Sequence, residues 1–479
     1  MKDINIQKQT LIDEFEVDGL WYLSTNPDHK VTGKLFFSKE NIELNTFGSL
    51  TDLDEFPDWV PSYTILGETL SGERVTLFMA TETGSTSRTY GFDSQTFGCQ
   101  FFIVGEHFQS QNDLIFDAVS FNSTYLESFL GSAPFKRTRN KPSEGQIETT
   151  MTFTPPEKQE WRIPIINANL YTSFSFSSHL SPYENVSMQH RSHLKLVPDT
   201  SQHFEWFIEQ LNKLLNLFSI FIGKEQFFKE LSLINYHIRG LEPLDKCKVF
   251  FTQKDFAEGH SVNNIQHITL SETKDQLDIY INNWFVLNNE FDSIYKLFFD
   301  TTFHGIYDEW KFLNYTRILE GYHRIKFTKS TYCDYNEYEK IKCLIQEFIE
   351  ETIKEEHHKQ LKTNIKSAIS YSYEYSFQKR LTELGKQLNK SIYKQIFKNR
   401  DDMDKFFYKT KETRNKMTHP QTEGTKIFRG YDLKMANARL IALINAIILV
   451  DIGLSADFIA AKLPYLQFHV NLAKKHFNQ

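Results

Sequence analysis

The chain has 479 residues, enough for roughly two to four domains with cores of their own. Its composition is that of a globular protein, 40% hydrophobic, rich in Phe (43) and Tyr (22) and sparing of Gly and Pro. A formal net charge of -7 excludes a protein that coats nucleic acid over its whole surface.

That charge is unevenly spread. Residues 1–70 hold thirteen Asp/Glu against five Lys/Arg, whereas residues 385–420 hold ten Lys/Arg against four Asp/Glu. Cys99, Cys247, Cys333 and Cys343 lack the paired spacing of a disulfide framework or a zinc site and fit a reducing compartment. The opening MKDINIQKQTLIDEFEVDG has no signal pattern. The most apolar run, LIALINAIILV at 440–450, is too short to span a bilayer and contains Asn445, so it reads as a buried helix. The expectation is a cytoplasmic protein with no membrane partner.

In chain order, the first elements read as strands. VTGKLFFS (31–38), NIELNTFG (41–48), YTILGETL (63–70) and ERVTLFMAT (73–81) are short β-branched and aromatic runs, and LSGERV reads as a hairpin turn. QFFIVGEHF, LIFDAVSFNS and GQIETTMTFTP continue the pattern. Near residue 202 the period changes. HFEWFIEQLNKLLNLFSIFIG has helical spacing and stops at Gly223. KVFFTQKDF and DIYINNWFVL then read as strands again, and everything from about residue 290 reads as helix. The expected fold class is α+β multidomain: a β-rich module over 1–200, a mixed segment over 201–295 and an all-α bundle over 296–479.

The basic region contains DDMDKFFYKTKETRNKMTHP, residues 401–420, a helix with visible ends. Asp401 or Asp402 can cap its start, and Pro420 disfavours α geometry at His419. Asn415 and His419 lie one turn apart on one face, so the amide can orient the imidazole, while Arg414 projects about 140° away. An imidazole moves protons near neutral pH, and a guanidinium holds phosphate and developing negative charge. Together they suit metal-free cleavage of RNA, with the 2′-hydroxyl as nucleophile and a 2′,3′-cyclic phosphate as product. Spacing alone is weak, since roughly one or two Arg-x(4–6)-His matches arise by chance in such a chain. A second one is RILEGYH, Arg317 to His323, which reads as structural because Glu320 can pair with Arg317.

RNKMTH resembles the R-N-x-x-x-H form of the HEPN superfamily, all-helical domains that include many ribonucleases. The whole chain resembles ApeA-type abortive-infection proteins of anti-phage defence, with VDGLWYLS and VTGKLFFSKENIELNTFGSL in the N-terminal domain and RILEGYHR in the early HEPN helix. The resemblance implies an endoribonuclease with Arg414 and His419 catalytic and Asn415 supporting them, and no metal or other cofactor. It also implies a homodimer whose two motifs share a cleft, and an N-terminal domain that senses a phage-derived trigger. Lys409, Lys411 and Lys416 are candidate RNA contacts, and transfer RNA is the expected substrate. The alternative is a non-catalytic dimer that binds RNA or protein, its ligand-binding role carried by the N-terminal domain. Further candidates read as structural: Phe406, Phe407 and Tyr408 as helix core, His357 and His358 as a solvated helix end, and Trp21, Trp59 and Trp161 as core anchors.

Overall fold

The computed structural model describes residues 4–51, 61–86, 93–141, 143, 145, 147–181, 185–236, 246–253, 267–354, 358–419, 427–466 and 469–477. The chain divides into two units, Met1–Asn282 and Asn283–Gln479.

The first unit begins with β1 (Phe15–Leu23), β2 (Asn26–Phe37), β3 (Ile42–Phe47), β4 (Tyr63–Thr69), β5 (Arg74–Thr86) and β6 (Ser94–Gly98). Their order is β5-β4-β1-β2-β3-β6, and β6 pairs back onto β5, so the six close into an antiparallel barrel. Alternation places Phe15, Val17 and Trp21 of β1 inside and Glu16 and Leu20 outside. Trp21 is fully buried and donates its indole N–H to the Gly33 carbonyl at 3.0 Å. A Cβ on Gly67 would stand 2.2 Å from that indole, so the barrel requires glycine there. The expected hairpin turn is present, with Gly72 at φ +80° and its N–H donated to Thr69 O.

The chain continues beyond the barrel through β7 (Phe101–Val104), β8 (Ile115–Phe116), β9 (Ala118–Ser123), helix α1 (Leu126–Leu130), β10 (Phe135–Asn140), β11 (Glu148–Phe153), β12 (Glu160–Ile163), β13 (Ala168–Ser181), β14 (Asn185–Pro198), β15 (Gln202–His203), helix α2 (Phe204–Ile222), β16 (Phe228–Ile234) and β17 (Lys246–Phe251), and most of these strands extend the sheet. From β5 its order is β7-β17-β16-β9-β14-β13-β12, while β10–β11 forms a separate hairpin and β8 pairs with β15. Helix α2 buries Phe207, Leu211, Leu214 and Phe218 and ends at Gly223 in the left-handed conformation. Trp161 is buried like Trp21, whereas Trp59 lies outside the described residues.

DIYINNWFVL is not a strand. After α3 (Leu270–Thr273) it forms the start of α4 (Leu277–Phe303), and Leu277, Tyr280, Ile281, Trp284 and Phe285 are buried at helical spacing. The run is rich in β-branched and aromatic residues, and tertiary burial overrides that local preference. The division between units falls inside α4.

The second unit continues with α5 (Asp308–Lys326), α6 (Tyr335–Thr352), α7 (Lys359–Ile369), α8 (Phe377–Gln387), α9 (Lys390–Ile396), α10 (Arg400–Thr418), α11 (Tyr431–Ile452), α12 (Ala456–Leu466) and α13 (His469–His476). Helix α11 packs against α5, α9, α12 and α13. It contains LIALINAIILV but is 22 residues long, so length does not exclude a membrane span as the apolar run suggested. Leu440, Ala442, Leu443 and Leu449 are fully buried within the unit, which makes α11 a core helix here.

Candidate active site

Helix α10 carries the Arg-Asn pair and its histidine. Its cap is Asn399, whose Oδ1 accepts the Asp402 N–H at 2.9 Å, and not Asp401 or Asp402. Asn399 is two residues before Asp401, where the backbone is extended and the side chain can reach back to the first turn. Asp402 is instead a bracket. One oxygen accepts the Lys398 N–H at 2.9 Å, and the other accepts from Arg439 Nη1 at 3.1 Å on α11.

Met403, Phe406, Phe407, Thr410 and Thr413 form the buried face of α10. Gly385 of α8 allows the approach, since a Cβ there would meet Met403 Sδ at 2.6 Å and the Phe407 ring at 2.8 Å. Phe406 and Phe407 are therefore core, while Tyr408 is 41% exposed. Thr413 Oγ1 accepts the Phe428 N–H at 2.9 Å and ties the last turn of α10 to the approach of α11. The helix ends at His419, whose N–H is donated to Asn415 O at 2.8 Å with φ −130° and ψ 83°. Pro420 lies outside the described residues.

Arg414 is half-buried. Its Nη2 donates to Glu320 Oε2 of α5 at 2.9 Å, and its guanidinium carbon lies 4.7 Å from the centroid of the Phe377 ring of α8. A carboxylate on one edge and an aromatic face beneath it fix the plane of the guanidinium. Five residues on, His419 is exposed at the helix end, and Asn415 between them is half-buried. The structure thus brings the three motif residues to one end of one helix, with Arg414 held and His419 accessible.

The carboxylate of Glu320 also accepts from Arg324 Nη2 at 3.3 Å. Arg324 reaches Glu374 at 2.6 Å, Glu374 accepts from Arg380 Nη2 at 3.2 Å, and Arg380 Nη1 donates to His323 Nδ1 at 3.2 Å. Charges alternate along this ladder from the motif arginine into the core. At its inner end His323 is fully buried, stacked on Phe327 with ring centroids 4.5 Å apart. Burial first, and then the Arg380 charge, pushes its pKa down to about 4, so the imidazole is neutral at pH 7. Acceptance from Arg380 on Nδ1 leaves the proton on Nε2, which has no partner among the described residues.

The second spacing match therefore separates. Arg317 is exposed and His323 is interior, and Glu320, expected beside Arg317, pairs with Arg414 and Arg324. Glu320 and Phe377 were not legible as partners of Arg414, because both come from helices remote in sequence.

The candidate RNA lysines are already engaged. Lys409 Nζ lies 3.2 Å from Asp432 and 4.5 Å from the centroid of the Phe428 ring, and Lys411 Nζ lies 2.8 Å from Glu412. Lys416 is half-buried in the last turn of α10. His358 precedes α7, and His357 lies outside the described residues.

Residues 313–458 of this helical unit match the family model of the Apea-like HEPN domain, a class whose members are usually ribonucleases. That span takes in Glu320, Arg414, Asn415 and His419. Residues 16–284 match the ApeA N-terminal domain 1. With more than half of its length in that N-terminal match, the chain belongs to the ApeA family and is a HEPN protein of the nuclease-type defence class. Comparison with curated proteins and with solved structures finds no match.

Proposed function

We propose that this protein is a metal-independent endoribonuclease of anti-phage abortive infection, with Arg414, Asn415 and His419 as its site. One observation carries the reading: Arg414 is locked in plane by Glu320 and Phe377, while His419 stands exposed at the end of the same helix. A held cation can receive a phosphodiester without reorganising, and an accessible imidazole can exchange protons with it.

In the proposed reaction neutral His419 takes the proton of a ribose 2′-hydroxyl. The 2′-oxygen attacks the adjacent phosphorus, and the bond to the 5′-oxygen breaks. Arg414 donates to the non-bridging oxygens as their charge grows. A protonated His419 from a second copy supplies the proton to the leaving 5′-oxygen. The products are a 2′,3′-cyclic phosphate and a 5′-hydroxyl, with proton and charge balanced. This division of acid and base is the physical reason for a homodimer in the reading. Loops of transfer RNA are the preferred substrate, because an unpaired backbone can reach the in-line geometry. A cytoplasmic setting and a phage-derived trigger acting through the β-rich unit complete the proposal.

The test is cleavage of total cellular RNA in EDTA by the purified protein, beside His419→Ala. The expected result is fragments with cyclic-phosphate ends, reduced about 10²–10⁴-fold in the variant. RNA that is bound but never cut, with any expression toxicity in cells unchanged by His419→Ala, would replace the enzyme with a binding module.

A further inference from the structure

The hairpin β10–β11 lies in the other unit and plays no part in the reaction above. Its first strand and the residue after it read FKRTRNK, residues 135–141, with Lys136, Arg137, Arg139 and Lys141 in a chain of net charge -7. All four are exposed. Some β cations elsewhere in the unit meet carboxylates, as Lys34 meets Glu16 at 3.0 Å and Arg162 meets Asp199 at 2.6 Å, while exposed Lys30, Arg74 and Lys246 stand singly on separate strands. Arg191 also pairs with Glu230. The four cations of the hairpin have no ion pair among the described residues. Their cross-strand neighbours are neutral: Lys136 lies opposite Thr152, Arg137 opposite Met151 and Arg139 opposite Thr149. The acid of the facing strand, Glu148, is opposite Asn140. Unopposed like charge on a narrow ribbon costs stability unless something outside the chain answers it.

The ribbon is nevertheless anchored. Phe153 stacks on Phe176 of β13 with centroids 4.2 Å apart and also meets Phe135 and the His190 ring. An isolated two-stranded hairpin is marginal in water, and these rings hold its base while the basic portion projects free on both faces.

We propose that this hairpin is a docking arm for the sugar-phosphate backbone of single-stranded nucleic acid. Residues two apart in a strand share a face and lie about 6.8 Å apart, so Arg137 and Arg139 form a row at that interval, with Lys141 just past the strand end. That interval is close to the through-space spacing of successive phosphates along one strand, so the row can follow a backbone, and it is the exposed ring beside it that favours a strand with unpaired bases. Thr149 on the same face adds a hydroxyl donor, and half-exposed Phe176 offers a ring for a base. The arm reads backbone and stacking, so it takes RNA and DNA single strands alike.

The experiment uses the full chain in the His419→Ala background, so that RNA stays intact and binding is measured without cleavage. Fluorescence anisotropy follows labelled single-stranded RNA, single-stranded DNA and a duplex of equal length across a salt series. Lys136, Arg137, Arg139 and Lys141 are changed together to Gln, and Arg137→Gln/Arg139→Gln serves if the fourfold variant melts early. The expected result is weaker binding of both single strands, with the slope of log affinity against log salt smaller by about 2–3. Unchanged slopes, failure of the parent protein to bind either strand, or an equal loss on the duplex would each overturn the proposal. So would binding of polyglutamate in place of nucleic acid, which would make the arm a protein contact. None of these outcomes depends on whether the helical unit cuts RNA.

Discussion

Arg317–His323 on α5 and Arg414–His419 on α10 offer the same two residue types at nearly the same spacing, and the fold treats them in opposite ways. The first pair is split between surface and core. In the second, the arginine is clamped and the histidine is exposed at the helix end. Spacing therefore selects candidates, and the neighbours supplied by other helices decide between them. Glu320 makes the point within one side chain: it sits in the first match and serves the second.

The widest gap between the pairs is in cleavage. Arg414→Ala should lower the rate about 10²–10³-fold, the cost of losing one preorganised donor to the phosphate. Arg317→Ala should leave the rate unchanged and stability within about 0.5 kcal/mol. Single-turnover assays on one RNA, with melting curves alongside, compare them; equal losses in both would erase the distinction. Glu320→Gln keeps size and removes the charge that holds Arg414. A fall of roughly ten- to a hundredfold is expected, most of it in kcat, with Arg414 still present but mispositioned. An unaltered kcat would make the contact merely structural.

The smallest effect concerns the buried histidine and appears in stability. His323 titrates near 4 in the folded state against 6.5 unfolded, so between those values the unfolded chain binds the extra proton. Stability from this residue is complete above about pH 6.5 and declines as pH falls toward 4. Melting of the wild type at pH 7 and pH 5 should show that decline, and His323→Gln should flatten it.

The β-rich front, the helical rear and the end of α2 at Gly223 were readable because alternation, period and stop signals are local. Closure of the barrel was not, since it depends on β1 pairing with β4 and on β6 returning to β5 across intervening chain. DIYINNWFVL deceived because its composition favours a strand while its burial follows a helix. At the site, the positions of Arg414, Asn415 and His419 on one helix end followed from their numbering. The cap at Asn399, the clamp of Glu320 and Phe377 and the ladder to His323 did not, being products of packing between helices distant in sequence.

The pairing of β7 with β17 has a consequence for biosynthesis. Strand Phe101–Val104 waits for Lys246–Phe251 before the sheet is complete, yet that last strand precedes Arg400 by about 150 residues. At ordinary translation speeds the interval is roughly 7–30 s. The ribosome thus releases a finished β unit well before it makes the helix that bears Arg414 and His419. Every newly made copy therefore carries its front unit before it has the helix of the proposed site.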